Sequence, residues 1–350
     1  MTGPSTVLNR KRAIAPRPAR QFGAAASRRG LLVGTALVAA LVLGSLLALG
    51  SGDYPLSPTE VIGALFSGDG FAHTIVVNWR LPRVAAALAF GAALGVSGAM
   101  FQSLTSNPLG SPDVIGFSTG SYTGALIALT VVGNGVLATS IGALAGGLAT
   151  ALVVYLLAYR NGVAGFRLII VGIAMTALLT AFNTWLLLRA QLEVAMSASI
   201  WGSGSISLVG WDQLGPGLAF LAVLVPLVMV LSRPLRQLEL GDDTARSHGV
   251  RAEPARLAIL VVGVALTATV TATSGPIVFV ALAAPQIAQR LVRSAGLPLV
   301  ASALTGALVL LIADYVAQHL LPGGQVPVGI VTVCVGGVYL LWLLVSDRKR

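Results

Sequence analysis

Long apolar runs alternate with short polar joints along this chain. Runs at roughly 31–50, 82–103, 114–132, 136–158, 166–188, 215–232, 255–273, 277–292, 299–321 and 327–345 have the length and apolarity of bilayer-crossing helices. The pattern predicts an all-α polytopic membrane protein with ten transmembrane helices. The eighth run is short and carries Pro285. Residues 1–29 are polar, basic and rich in Pro and Ala, and read as a flexible tail. Residues 30–346 read as one transmembrane domain and 347–350 as a basic end. Ser27–Gly34 (SRRGLLVG) has the look of a twin-arginine export signal. The run after it is long enough to span, and no small-residue cleavage site follows, so it reads as the basic flank of a first helix.

Charge sets the orientation. Cytoplasmic loops of membrane proteins are enriched in Lys and Arg. With the N-terminus inside, all but Arg80, Arg83 and Arg189 of the chain's 22 basic residues fall on the cytoplasmic side. Both termini are then expected in the cytoplasm. The net charge of +10 needs no nucleic acid to explain it, because the basic residues cluster at the ends of apolar runs.

Composition narrows the chemistry. Hydrophobic residues make up 56% and charged residues 10% of the chain. Soluble domains carry about 25% charge. The single cysteine, Cys334, rules out an internal disulfide, and His73, His248 and His319 are too scattered to read as a metal site. A phosphate-binding P-loop needs a lysine after its glycines. The only lysines, Lys11 and Lys349, lie in the terminal tails, so the chain cannot carry its own Walker A site, and no cofactor is expected in it. No nucleophile–base pair or metal-ligand pair lies within the runs, and no residue reads as catalytic. Asp314 is the one acid well inside a run. Such an acid is a functional candidate by default, and equally a helix-orienting hydrogen-bond acceptor.

Polarity gathers in the 233–256 loop, which sits between the sixth and seventh runs and on the cytoplasmic side. Within it, LELGDDTARSHGV predicts a turn at Gly241, a short helix with Asp242 and Asp243 in its first turn, and a stop at Gly249. It reads either as a solvated loop or as a surface helix on which a motor protein pushes.

This segment resembles the coupling loop of the iron-siderophore and vitamin B12 permeases (FecCD/BtuC type) of bacterial ABC importers. Three further blocks and a longer one match in order. RLPRVAAALAFGAALGVSGAMFQSLTSNPLGSPDVIGFSTG (Arg80–Gly120) is the most recognisable, and SGPIVFVALAAPQIAQRLV, ALTGALVLLIADYVA and VPVGIVTVCVGGVYLLWLL follow. The resemblance runs from about residue 50 to the C-terminus and implies a BtuC-like, ten-helix fold. It implies a permease dimer, a cytoplasmic ATPase dimer that binds ATP and Mg, and an extracytoplasmic binding protein that delivers a ferric siderophore. Cobalamin or haem is the alternative cargo. Outside the family, a secondary transporter with Asp314 as its proton site is the alternative.

The resemblance assigns ATPase coupling to Leu238, Leu240, Gly241, Asp242, Ala245, Ser247, His248, Gly249 and Val250. It assigns docking of the binding protein to Arg80 and Arg83, which snorkelling at a helix mouth also explains. Pathway or packing candidates are Gly91, Gly95, Ser97, Gly98, Gln102, Asn107, Pro108 and Asp314. Asp113 reads as a cap of the third helix. The family pattern continues with His after Pro285 and ends the Asp314 block with Arg. This chain has Gln286 and Gln318-His319 there, which favours a heterodimer whose other half keeps the missing residue.

Overall fold

A computed structural model describes residues 19–66, 68–133, 135–159, 165–294, 296–320 and 326–347. The ends expected as tails, 1–18 and 348–350, lie outside the described residues. In chain order the helices are α1 (Ala19–Gly50), α2 (Pro58–Phe66), α3 (Phe71–His73), a π-helical turn (Thr74–Arg80), α4 (Leu81–Thr105), α5 (Phe117–Val131), α6 (Val136–Ala158) and α7 (Gly165–Arg189). They continue with α8 (Leu192–Gly202), α9 (Trp211–Leu238), α10 (Asp242–Ser247), α11 (Ala252–Ser274), α12 (Val280–Val292), α13 (Leu299–His319) and α14 (Val328–Asp347). Each of the ten expected runs contains one helix, those of the third and eighth runs being short. Helix α1 begins at Ala19, so residues 19–29 are helical rather than part of a flexible tail.

Among the described residues, seven helices are long and apolar enough to cross a membrane: α1, the continuous α3–α4 unit, α6, α7, α9, α11 and α13. Helices α5 and α12, at 15 and 13 residues, span only about 22 and 20 Å at 1.5 Å per residue. That is short of the ~30 Å hydrocarbon core. The chain reaches α12 instead through 275–279, where Gly275 and Phe279 both have positive φ.

Helix α4 is the centre of the bundle. Its most apolar window is 72% buried, against 6% for α1. Phe90, Leu94 and Met100 fill the main core together with Val270 of α11 and Leu310 of α13. A second core joins Phe101 to Phe117, Val154 and Leu168. The start of α4 shows how a proline can sit within a continuous helix. Pro82 lacks an N–H and its ring crowds the carbonyl four residues back. The preceding turn widens to the π form, with Leu81 N–H bonding Val76 O, and the helix runs on.

Close approach makes the α4–α13 and α4–α12 contacts. A Cβ at Gly91 would lie 2.4 Å from Gly306 O, and one at Gly95 2.2 Å from Ser302 O. At Gly98 it would lie 1.7 Å from Ala281 O. That carbonyl has no intrahelical donor, because the residue four places on is Pro285. A kinked, short helix thus presents a bare carbonyl to a glycine that lets it in. The three glycines are packing positions in the described subunit.

Candidate functional site

Three polar groupings interrupt the apolar bundle. The first lies where α1 ends and α4 begins. Arg80 closes the π-helical turn, and its Nη1 and Nη2 donate to Leu49 O and Tyr54 O, each at 2.7 Å. Leu49 O belongs to the last turn of α1, where carbonyls lack helical partners and the dipole favours a cation. Arg80 therefore caps α1 and remains partly exposed.

Arg83 departs from expectation. It is not an outward-facing cation: it is 8% exposed and pairs with Asp314, which is 3% exposed. Arg83 Nε donates to Asp314 Oδ1 and Oδ2 at 3.2 and 3.0 Å, and Nη2 to Oδ1 at 2.9 Å. Gln318 Nε2 adds a bond to Oδ2 at 2.6 Å. Asp314, the acid that seemed alone inside its run, is thus matched by a bidentate guanidinium, the geometry that best offsets burying two charges. Gln318, one turn along the same helix, serves as a second donor to it. Beside the pair, Tyr315 stacks on His319 and shares a hydrogen bond with Ser51 at 3.3 Å.

The second grouping lines the far half of α4. Ser97 Oγ donates to Gly263 O at 2.7 Å and shares a hydrogen bond with Thr267 at 2.9 Å, tying α4 to α11. Gln102 Nε2 donates to Leu282 O at 3.0 Å, and Gln286 Nε2 donates to Gln102 Oε1 at 2.6 Å, tying α4 to α12. These side chains are turned into helix contacts. Ser106 (φ 48°) ends α4, Asn107 Oδ1 accepts from Leu109 N–H at 2.9 Å, and Pro108 follows in the turn.

Asp113, in the loop between α4 and α5, does not cap α5 as expected: no side chain bonds the N-terminal amides of that helix. Its carboxyl accepts from Ser118 Oγ and feels the backbone N–H of Phe279 just before α12. Burial pushes its pKa up to about 6, against the opposing pull of those two donors. The partner at α12 lies far along the chain, so no local signal in the sequence announces it.

The third grouping is α10, at the end of the bundle away from Arg80. Gly241 (φ 99°) turns the chain into the helix and Gly249 (φ 81°) turns it out. Both are turns the sequence pattern anticipates. Leu238 and Ala245 are buried. Val250 N–H bonds Ala245 O at 3.0 Å, and Asp242 forms an ion pair with Arg256 of α11 at 2.5 Å. Ser247 Oγ donates to Thr244 O at 2.8 Å. One face is thereby fastened to α9 and α11, while Leu240, Asp243, Arg246, Ser247 and His248 are exposed on the other. A cleft of about 390 Å³ lies beside it, between Arg246, Gly249 and Pro254. The result is a short, rigid, mixed-charge knob joined to two long helices. Among the described residues no group of three or more His, Cys, Asp or Glu side chains is arranged to hold a metal ion.

Comparison with known proteins gives this architecture its relatives. The chain is 48% identical to the ferric enterobactin transport system permease protein FepG of Escherichia coli (strain K12) over 325 residues, covering 93% of this chain and 98% of that protein. It is 36% identical to the achromobactin transport system permease protein CbrC of Dickeya dadantii (strain 3937), covering 88% and 90%. A solved metal-chelate type ABC transporter in an inward-facing conformation superposes with a TM-score of 0.79 at 27% identity, over 90% of this chain and 99% of that one. The family model of the FecCD transport family matches residues 40–346. With these matches the secondary-transporter reading falls away. This multi-pass chain belongs to the FecCD transport family and is a non-catalytic permease subunit of an ABC transporter.

Proposed function

We propose that this chain carries a ferric siderophore of the catecholate class across the bacterial cytoplasmic membrane, in a permease pair driven by a separate ATPase dimer. The observation that carries the cargo is the likeness, along nearly the whole chain, to a ferric enterobactin permease. The exposed face of α10 is the surface on which the ATPase acts. That face is oriented to the cytoplasm with both termini, as the distribution of Lys and Arg favours. A push on α10 travels into α11 through the Asp242–Arg256 pair, and from α11 into α4 through Ser97, Gly263 and Thr267.

The second permease subunit is a different chain. Gln286 and Gln318 stand where the family pattern has His and Arg, and both are turned inward onto Gln102 and Asp314. The binding protein docks at the Arg80 end. Of the two arginines, Arg80 keeps the exposure that a partner's carboxylate needs. The test is uptake of radioiron-labelled ferric catecholate, ferric hydroxamate and labelled cobalamin by a deletion strain, with and without this chain. Restoration of ferric catecholate uptake alone is expected. Restored cobalamin uptake with no iron uptake would overturn the assignment.

A further inference from the structure

A groove of about 730 Å³ runs along the outside of the bundle between α9 and α13, with α4 as its floor. The α4 floor is mostly alanine, with Ala89, Ala92 and Ala93, and Ala303 opens the α13 wall, where larger side chains would fill the space. Val225 and Met229 form the α9 wall and are 46% and 68% exposed. From Leu218 to Arg236 the groove follows α9 for about 27 Å at 1.5 Å per residue. The hydrocarbon depth of one leaflet is about 15 Å, so the groove is long enough for an extended acyl chain.

The polar members of the lining are confined to one end, Ser232 and Arg236. Arg233 is exposed one turn earlier on the same helix, and no ion pair engages either arginine among the described residues. Glu239, three residues past Arg236, is the acid in the neighbourhood, and it lies against Gly296. The groove is therefore apolar along its length and cationic at one mouth.

We infer that this groove seats an acyl chain of an anionic phospholipid, with the lipid phosphate held at its mouth by Arg236, Arg233 and Ser232. The chemistry is that of a lipid: an apolar tail of leaflet length joined to one phosphate. On the orientation proposed above, the mouth lies in the cytoplasmic leaflet, where basic residues near the surface attract anionic headgroups. Occupancy wedges α9 against α13 and so fixes the helix that leads directly into α10.

The test uses the full chain, purified in mild detergent with its copurifying subunits. It is incubated with an equimolar mixture of phosphatidylglycerol and phosphatidylcholine of identical acyl chains and examined by native mass spectrometry. The parent is expected to retain phosphatidylglycerol over phosphatidylcholine by about fivefold for each arginine engaged. Arg233→Gln/Arg236→Gln should bring that ratio close to one. Val225→Trp keeps both arginines and changes an exposed position, and it should lower retention of both lipids by filling the groove. An unchanged ratio in the double-Gln variant, or unchanged retention in Val225→Trp, overturns the inference. So does a photo-cross-linker at position 225 that captures a protein instead of lipid in cells. None of these outcomes depends on which siderophore is carried.

Discussion

Removing Asp314 should destabilise the subunit far more than removing both members of its ion pair. In Asp314→Ala, Arg83 loses three contacts of 2.9–3.2 Å, and Gln318 loses its acceptor at 2.6 Å. The guanidinium stays in a site where its side chain is 10% exposed. Stranding one partner of a buried pair costs about 3–5 kcal/mol, whereas replacing both with apolar groups of similar volume is often neutral or stabilising. Soluble proteins unfold with about 2.1 cal/mol/K per residue, so a chain this long should lose roughly 4–7 °C of Tm in Asp314→Ala. Arg83→Met/Asp314→Leu should melt close to the parent. The assay is thermal unfolding in detergent, followed by fluorescence-detected size-exclusion chromatography, for parent, both single variants and the double variant. Additive losses, with the double variant as unstable as the two singles summed, would refute the reasoning. Asp314→Asn keeps an acceptor for Arg83 and Gln318 while losing the charge, so the protein that folds is expected to retain ATP-dependent uptake with the proton gradient collapsed.

Gly98→Ala should damage assembly, since the new Cβ would meet a backbone carbonyl at 1.7 Å that cannot move without α12. Overpacking of this kind costs about 1–3 kcal/mol or more, and a monodisperse peak of parental height in detergent would count against the packing described. Asp113 lies in a loop outside the spans, and its pKa of about 6 exceeds the ordinary 3.8. The folded state therefore holds a proton that the unfolded state gives up. Its stabilising share is complete below about pH 3.8 and is lost as pH rises through about 6, a change on the order of 3 kcal/mol. Apparent Tm between pH 5 and 8 should fall more steeply for the parent than for Asp113→Asn, and parallel curves would contradict the assignment.

The helices were legible because apolar runs are local, and ten of them map onto ten helices. The turn glycines of α10 were legible for the same reason: Gly241 and Gly249 bracket a run with acids at its start. What escaped the sequence is tertiary. Asp314 looks unpaired because its partner Arg83 lies 231 residues away. Arg83 looks like an outer-face cation because charge bias reports the side of the membrane and says nothing of burial. The spacing Asp314–Gln318 is one helical turn and does signal contact on its own. Asp113 and Phe279 are brought near each other by the fold alone, from a loop and a helix start far apart in the sequence. Helix α8 carried no signal strong enough to separate it from a loop.

On the proposed function, energy enters through α10 from a partner ATPase. The most direct measurement is uptake of ferric catecholate into proteoliposomes holding the permease pair and the ATPase, with binding protein added and the proton gradient collapsed. Parent and Gly241→Pro are compared. Gly241 has φ 99°, which proline cannot adopt, so the variant re-aims α10 while the bundle inserts normally. The parent is expected to show ATP-dependent uptake, and the variant to lose it while the subunits still assemble. Uptake that persists in Gly241→Pro, or that requires the gradient and not ATP, would contradict that expectation.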